Sequence, residues 1–407
     1  MKILVQKFGG SSVADLECMK KVRAKVTKAV AQGYKVVVVL SARSGQTNKL
    51  LEMAYQWSDE PLPAELDVLL ATGEQESIAL FTMLLHDEGI KARSMVGYQV
   101  PILTDTSHTS ARIISIQADY FRSQLEEYDV IVMAGFQGVS TENRITTLGR
   151  GGSDTSAVAI AAALGSVDCH IYTDVDGVYT TDPRLVPKAT KIPKVTYEEM
   201  LEMASMGAKV LQIRSVEFAK KYKVPVWVRS TFSEDEGTLV TQEDESMMES
   251  VMVSGVAFDR DQVRVTVLGI PDKPGISASL FAPLAEHDIL VDMIVQKASR
   301  EGITDMTFTV SRKDLKRALA LSEQVCKEIG GEGVEYDGEI SKVSVIGVGM
   351  RNHSGVAAMA FEALYKADIN ILMISTSEIK ISCIVREDQL EKAVQTLHTT
   401  FGLDGII

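Results

Sequence analysis

The chain has 407 residues, which at roughly 100 to 200 residues per domain gives two to four domains with room for real cores. Its composition, 45% apolar and 24% charged with 29 glycines against 10 prolines, excludes a disordered, collagen-like or low-complexity chain. Lys plus Arg is 42 against 55 Asp plus Glu, and the net charge of −13 repels nucleic acid and anionic membrane, so neither is an expected partner.

At the start, MKILVQKFGG runs into glycine where a signal peptide would have an apolar core and a small-residue cleavage site, so a cytoplasmic location is expected. The run VVVVL at 36–40 stops at Ser41, well short of the ~18 to 20 apolar residues of a membrane span. Cys18, Cys169, Cys326 and Cys383 are scattered without CxxC spacing, so neither a disulfide scaffold nor a protein-held metal is expected.

Over the first 230 residues, β-branched runs alternate with amphipathic stretches, the pattern of βα units around a largely parallel sheet. Ile3 to Gln6, Val36 to Ser41, Val130 to Gly135, Cys169 to Thr173 and Val224 to Arg229 are predicted strands. Asp15 to Ala31, Glu74 to Glu88, Thr109 to Glu126 and Thr155 to Leu164 are predicted helices, with breaks such as Gly33, Gly89 and Gly165 after them. The fold class is therefore an α/β/α sandwich followed by further domains. Ser230 to Asp259 holds no Lys or Arg while acids accumulate, which marks a solvated connector near Glu243 to Ser250.

The rest of the chain repeats itself at a shift of about 80 residues. Val265 falls on Val345, Gly269 on Gly349, Gly275 on Gly355, Leu284 on Leu364, Asp288 on Asp368 and Met293 on Met373. Each copy follows the βαββαβ order of a ferredoxin-like unit. The second runs out of chain after its last helix, and Val251 to Phe258 is a strand without a partner in the first copy, so it is expected to cross over and complete the second. The resulting divisions are a catalytic domain over 1–242, an acidic linker over 243–250, the crossover strand over 251–260, and repeats over 261–338 and 339–407.

Three segments carry chemistry. Lys7-Phe8-Gly9-Gly10 follows a strand and precedes a helix, so its glycines allow backbone N–H groups to approach a phosphate, with Lys7 reaching over them. Gly149-Arg150-Gly151-Gly152-Ser153-Asp154 is a second such turn with its own cation and carboxylate. Two anion-receiving loops in one α/β domain suit transfer of a phosphoryl group between anionic partners. Asp154 repels phosphate, and is read as an organiser of nearby lysines or as a helix cap. The polar loop after the fourth strand, Tyr172 to Arg184, suits a nucleotide, with Tyr179 toward base or ribose and Arg184 and Lys209 toward phosphates. Its DVDG lacks the spacing and twelfth-position glutamate of a calcium loop.

These segments resemble the amino acid kinase family, and within it the aspartokinase branch: KFGGSSV at 7–13, SAR at 41–43 with Thr47, TGE at 72–74, GRGGSDTSA at 149–157, YTDVDGVYTTDPR at 172–184 and GAKVL at 207–211. The C-terminal duplication resembles tandem ACT regulatory domains, through DKPG at 272–275, NHSGV at 352–356 and ISTSEIKIS at 374–382. The resemblance implies ATP-dependent phosphorylation of the side-chain carboxylate of L-aspartate to 4-phospho-L-aspartate, the first step toward lysine, threonine and methionine. It further implies that Lys7 stabilises the migrating phosphoryl and Asp154 orients the lysines. Phe8, Gly9, Gly10, Thr173, Asp174, Tyr179, Arg184, Lys209 and Val210 would bind ATP. Ser41, Thr47, Glu74, Arg150, Gly151, Gly152 and Ser153 would hold aspartate, with Glu74 on the α-ammonium and the Arg150 fork on a carboxylate. Magnesium would come with ATP, held by phosphate oxygens and water.

Alternatives are a glutamate or acetylglutamate kinase of the same fold, or a non-catalytic amino acid sensor. The fusion to homoserine dehydrogenase found in some aspartokinases is not expected, because the chain ends with the second repeat. Feedback inhibition by lysine, threonine or both is implied, with homo-oligomers or an α2β2 assembly formed through the ACT domains. Met247, Met248 and Met252 permit a separate small subunit from an internal start. The first repeat offers an effector Asp272, Gly275, Ile276 and Asp292, whereas the second has Asn352, Gly355, Val356 and Leu372 at those places, with Asn370 and Ile371 able to close the pocket through backbone groups. The missing second-repeat carboxylates favour threonine, alone or with lysine, over lysine alone.

Overall fold

The computed structural model describes residues 1–206, 210–243, 252–297 and 302–405. It divides into two compact units, Met1–Tyr179 with Lys191–Ser250, and Thr180–Thr190 with Val251–Ile407.

The first unit is built on an eight-stranded sheet. Its strands are β1 (Lys2–Phe8), β2 (Tyr34–Leu40), β3 (Ala92–Met95), β6 (Val130–Ala134), β9 (Cys169–Thr173), β10 (Lys194–Thr196), β11 (Val226–Ser230) and β12 (Thr238–Thr241). They lie in the order β10-β12-β11-β9-β1-β2-β6-β3, parallel except where β12 runs against β11. Val36 to Leu40 and Val130 to Ala134 are buried without alternation, because helices cover both faces of a parallel sheet. Since β1 has β2 on one side and β9 on the other, the direction of travel across the sheet reverses there, which opens a crevice beyond the carboxyl ends of these strands.

Helix α1 (Leu16–Ala31) is capped by Asp15, whose carboxylate accepts from Cys18 N at 2.8 Å, and it buries Met19, Val22, Val26 and Ala29 at helical spacing. The next three helices are α2 (Gln46–Trp57), α3 (Pro63–Leu70) and α4 (Thr72–Asp87). Pro63–Asp87 is apolar enough to pass for a membrane span by composition, yet half of that stretch is buried, with Ile78, Phe81 and Leu85 of α4 in the core of this unit.

The expected helix over Thr109 to Glu126 is not a single element. Ile113–Ile116 forms strand β5, and helix α5 is Ala118–Glu127. Three isoleucines in four positions favour extended backbone, and β5 pairs with β4 (Ile102–Thr104). With β7 (Gln137–Ser140) and β8 (Ile145–Thr147) these strands make a small sheet in the order β5-β4-β7-β8, for which the sequence carried only short, mixed runs. Helix α6 (Gly152–Ala163) begins three residues before its predicted start, so the second glycine turn is its first turn. Helices α7 (Tyr197–Ser205) and α8 (Ile213–Tyr222) complete the unit.

The second unit holds two four-stranded sheets. In the first repeat β14 (Val263–Pro271), α9 (Ile276–Glu286), β15 (Val291–Gln296), β16 (Ile303–Val310), α10 (Leu315–Ile329) and β17 (Gly333–Asp337) form a sheet in the order β15-β16-β14-β17. The second repeat supplies β18 (Ile340–Ile346), α11 (Val356–Lys366), β19 (Met373–Thr376), β20 (Lys380–Arg386) and α12 (Leu390–Thr400). Its sheet takes β13 (Gly255–Asp259) on the far side of β18, antiparallel, in the place that β17 holds beside β14. After α12 the described residues end in a short turn, Leu403–Gly405, that buries Leu403. The segment Thr180–Thr190 belongs to this repeat as well: Val186 sits in its core, Val256 N donates to Thr180 O at 2.7 Å, and Thr180 Oγ1 meets the fully buried His398, whose other ring nitrogen lies 2.7 Å from Asp404.

Candidate active site

Lys7 is the penultimate residue of β1, and the strand end is what turns a long cation into the crevice. It is 9% exposed and pairs with Asp154, at 2.5 Å from Nζ to Oδ1. Burial at this level strengthens the pair, because little water competes for either charge. Asp154 lies in the first turn of α6, so one carboxylate serves both that turn and the lysine. Gly10 allows the loop after β1 to touch the loop after β2: a Cβ there would lie 2.9 Å from Ala42 O, and Ser44 N donates to Gly10 O.

Glu74 enters from the first turn of α4. Gly73 makes this possible, since a Cβ at that position would sit 2.8 Å from the Ala42 side chain. Glu74 is 3% exposed, and its Oε1 accepts from Ala42 N at 2.9 Å while Oε2 is buried without a hydrogen-bond partner among the described residues. Burial pushes its pKa up to about 7 against the pull of the Ala42 amide. A carboxylate held this way invites a cation.

Lys7, Gly10, Ser41, Thr47, Glu74, Arg150, Gly151, Gly152, Ser153 and Asp154 line one cavity of roughly 370 Å³. Its wall also holds eight residues that the sequence reading does not assign to the site, among them Arg43, Asn48, Phe136 and Gln212. Arg43 donates from Nη2 to Glu76 at 2.6 Å. Gln212 precedes α8 and packs on Gly151, where a Cβ would fall 2.0 Å from the Gln212 Cγ. Arg43 belongs to the SAR motif and Asn48 follows Thr47, so both could have been suspected there, whereas nothing local marks Gln212 or Phe136.

The residues assigned to the nucleotide are more dispersed. Phe8 is fully buried and stacks on Tyr172 at 4.6 Å between ring centroids, so its side chain belongs to the core. Gly9 N donates to Tyr172 O at 3.2 Å, which occupies the N–H that the sequence reading offered to phosphate. Thr173 Oγ1 donates to Asp174, and the Tyr179 hydroxyl donates to Asp176 at 2.9 Å; burial, then Asp176, pushes the Tyr179 pKa up to about 12. Thr173, Asp174, Tyr179 and Val210 are outside the cavity wall among the described residues. Arg184 falls within Thr180–Thr190 of the other unit, and its exposed guanidinium is paired with Asp182. Lys209 lies outside the described residues, as does most of the acidic linker.

In the second unit, Gly275 caps α9 with φ +97° and Ile276 is buried. Asp272 is exposed, with Gln296 Nε2 at 3.4 Å. Asp292 pairs with the buried Lys342 of β18, a partner in the second repeat that spacing did not reveal. Asn370 is exposed and Ile371 half-buried just before β19.

The amino acid kinase family profile matches residues 2–230, and ACT domain profiles match residues 264–326 and 343–401. Over 405 residues, spanning 100% of this chain and 98% of the relative, the chain is 54% identical to an aspartate kinase of Pseudomonas putida. Among solved structures it is similar to Escherichia coli aspartokinase III in complex with aspartate and ADP, at 28% identity and a TM-score of 0.80, with 98% of this chain and 100% of that one covered. The same enzyme in complex with lysine and aspartate gives 27% identity and a TM-score of 0.77 over the same coverage.

Proposed function

The chain belongs to the amino acid kinase family, as an aspartokinase with two ACT domains, and from that membership we propose how its cavity divides the work. The enzyme transfers the terminal phosphoryl group of ATP to the side-chain carboxylate of L-aspartate. Glu74 receives the α-ammonium of aspartate, Arg150 takes a carboxylate with its planar fork, and Ser41, Thr47 and Ser153 complete the substrate's polar contacts. Lys7 meets charge that builds on the migrating phosphoryl, and Asp154 holds Lys7 in place for it. Magnesium arrives with ATP. Gly10, Thr173, Asp174, Tyr179, Lys209 and Val210 are assigned to the nucleotide side, and binding of an adenine nucleotide is supported by the ADP in the E. coli neighbour.

The observation that carries this reading is the buried Glu74 carboxylate with one unpartnered oxygen, in the same cavity as Lys7, Asp154 and Arg150. It disfavours acetylglutamate, which has no free ammonium to offset that charge. Trapping acyl phosphates with hydroxylamine tests it: ATP, Mg²⁺ and L-aspartate should give hydroxamate, and hydroxamate from L-glutamate but not L-aspartate would overturn the substrate assignment.

Control is assigned to the ACT domains, with threonine, alone or together with lysine, as effector at Asp272, Gly275, Ile276, Asp292, Asn370 and Ile371. The lysine complex of the E. coli neighbour supports an amino acid effector of this kind. Self-association through the ACT sheets is supported by the edge strands β15 and β19, which expose Ile294 and Ile374. A cytoplasmic location belongs to the same reading.

A further inference from the structure

We propose that Asp67 and Arg214, neither of which lines the cavity, are positioning residues that brace the glycine turn carrying Arg150 and thereby set the affinity for aspartate. The inference rests on the role given above to Arg150.

The turn between β8 and α6 runs Leu148-Gly149-Arg150-Gly151, and both glycines beside Arg150 have positive φ, +76° and +70°. Such a turn has little intrinsic stiffness, because glycine gives up more conformational freedom on ordering than any other residue. Something must hold Arg150 in place, and two charged side chains from separate helices do so.

From α8, Arg214 donates Nη1 to Leu148 O at 2.7 Å and Nη2 to Ala111 O at 2.6 Å. Ala111 N in turn donates to Thr147 O at 2.9 Å, so the guanidinium fork ties the loop between β4 and β5 to the turn that follows β8. From α3, Asp67 is 0% exposed and collects donors from the same two segments. Its Oδ1 accepts from Thr147 Oγ1 at 2.5 Å and from Thr109 N at 3.0 Å, and its Oδ2 accepts from Thr109 N at 3.1 Å and from His108 Nδ1 at 2.7 Å. Thr109 is also the residue that presses on the turn: a Cβ on Gly149 would lie 3.0 Å from Thr109 O.

Docking a helix needs no buried carboxylate, since an apolar side chain in that place avoids the desolvation cost. What a carboxylate adds is several acceptor sites at once, and here they are filled by Thr147, at the end of the strand that leads into the turn carrying Arg150, and by His108 and Thr109 of the loop that packs on that turn. The fork of Arg214 does the same for carbonyls, which a lysine cannot reproduce. Order supplied in this way lowers the entropy lost when Arg150 engages its carboxylate, and it prevents the small misplacements that are expensive in a transfer site.

The test is steady-state kinetics of Arg214→Gln and Thr147→Val, alone and on an Arg150→Ala background, with aspartate affinity read by calorimetry where turnover is too slow. Thr147→Val removes one donor to Asp67 with little change of volume, so it remains informative if Arg214→Gln folds poorly. The expected result is an aspartate KM raised roughly tenfold by Arg214→Gln and about threefold by Thr147→Val, an ATP KM within about twofold of wild type, and no further loss of aspartate affinity on the Arg150→Ala background. Unchanged aspartate KM in both variants, an equal rise for ATP, or losses that add to that of Arg150→Ala would overturn the brace. An Arg150→Ala enzyme with unaltered aspartate affinity would instead sink the role given to Arg150 itself.

Discussion

Both units use one local device, a strand followed by a left-handed glycine that opens a helix, and they furnish it differently. In the catalytic unit Gly151 caps α6 against the Gln212 side chain, and the helix turn it starts buries Ser153 and Asp154. In the other unit Gly275 and Gly355 cap α9 and α11 with φ of +97° and +101°, and a Cβ on either would meet nothing within 4 Å. Asp272, three residues before Gly275, is exposed. A packed turn keeps its charges desolvated and in register, as transfer of a phosphoryl group requires. An open turn leaves space for a ligand that must come and go.

The comparison predicts its largest effect at the most enclosed charge. Lys7→Ala should lower kcat by about 10²- to 10³-fold, the usual loss for one donor aimed at developing charge, while ATP binding changes far less. Asp154→Ala should follow in the same direction. Unchanged turnover in single-turnover assays of either variant would remove that residue from the chemistry.

Next in size is Glu74→Gln, which should raise the aspartate KM about 10- to 100-fold through loss of a charged hydrogen-bonding partner. With the wild-type pKa at about 7, aspartate binding should weaken as pH falls below 7, and the Gln variant should lose that dependence. Stability has the opposite sense. Because burial raises this pKa above its ordinary value of 4.5, the native state holds the proton more tightly than the unfolded chain. The ligand-free enzyme should therefore lose stability through this group as pH rises from about 4.5 to about 7, and chemical denaturation of Glu74→Gln should show none of that slope.

How far this was readable in advance depended on the distance between partners. Lys7 and the 149–154 turn could be recognised because strand, glycine and helix are neighbours in sequence, and the repeat could be recognised because its period is constant. The small sheet was missed because Ile113 to Ile116 offers too few residues to separate strand from helix until β4 is beside it. Gln212, Asp67 and Lys342 left no local trace, since each acts on a segment 50 or more residues away. The assignment of Glu74 to the ammonium came from resemblance; its burial and its unpartnered oxygen emerged only from folding.

A smaller effect is expected from Gly151→Ala, which tests the packing half of the comparison directly. The methyl group would sit 2.0 Å from the Gln212 Cγ and would hold an L-residue at φ +70°, a conformation costing about 1 to 2 kcal/mol. The aspartate KM should rise roughly 5- to 30-fold. Gly275→Ala carries a similar backbone penalty without a clash, so it should leave basal kinetics as they are and appear only as a modest loss of stability in thermal melts.

The smallest effect on the unregulated enzyme, and the most discriminating for the open turn, belongs to Asp272→Ala. Asp272 is exposed and its side-chain contact to Gln296 is long, so its removal should leave folding and basal turnover close to wild type. An effector ammonium, by contrast, would find at Asp272 a carboxylate that forms no ion pair among the described residues, whereas Asp292 is engaged by Lys342 and would have to exchange that cation for the ligand's. Asp272 should consequently contribute more to effector recognition than Asp292, although both stand in the same repeat. With coupling of about 1 to 3 kcal/mol between effector and substrate sites, loss of the ammonium partner should move the inhibitor titration several-fold or abolish it, at unchanged kcat without inhibitor. The measurement is inhibition by threonine, by lysine and by their mixture, on wild type, Asp272→Ala and Asp292→Ala. Strong inhibition of wild type by lysine alone would refute the preference for threonine, and equal inhibition of wild type and Asp272→Ala would show that the effector's ammonium is bound somewhere other than the open turn.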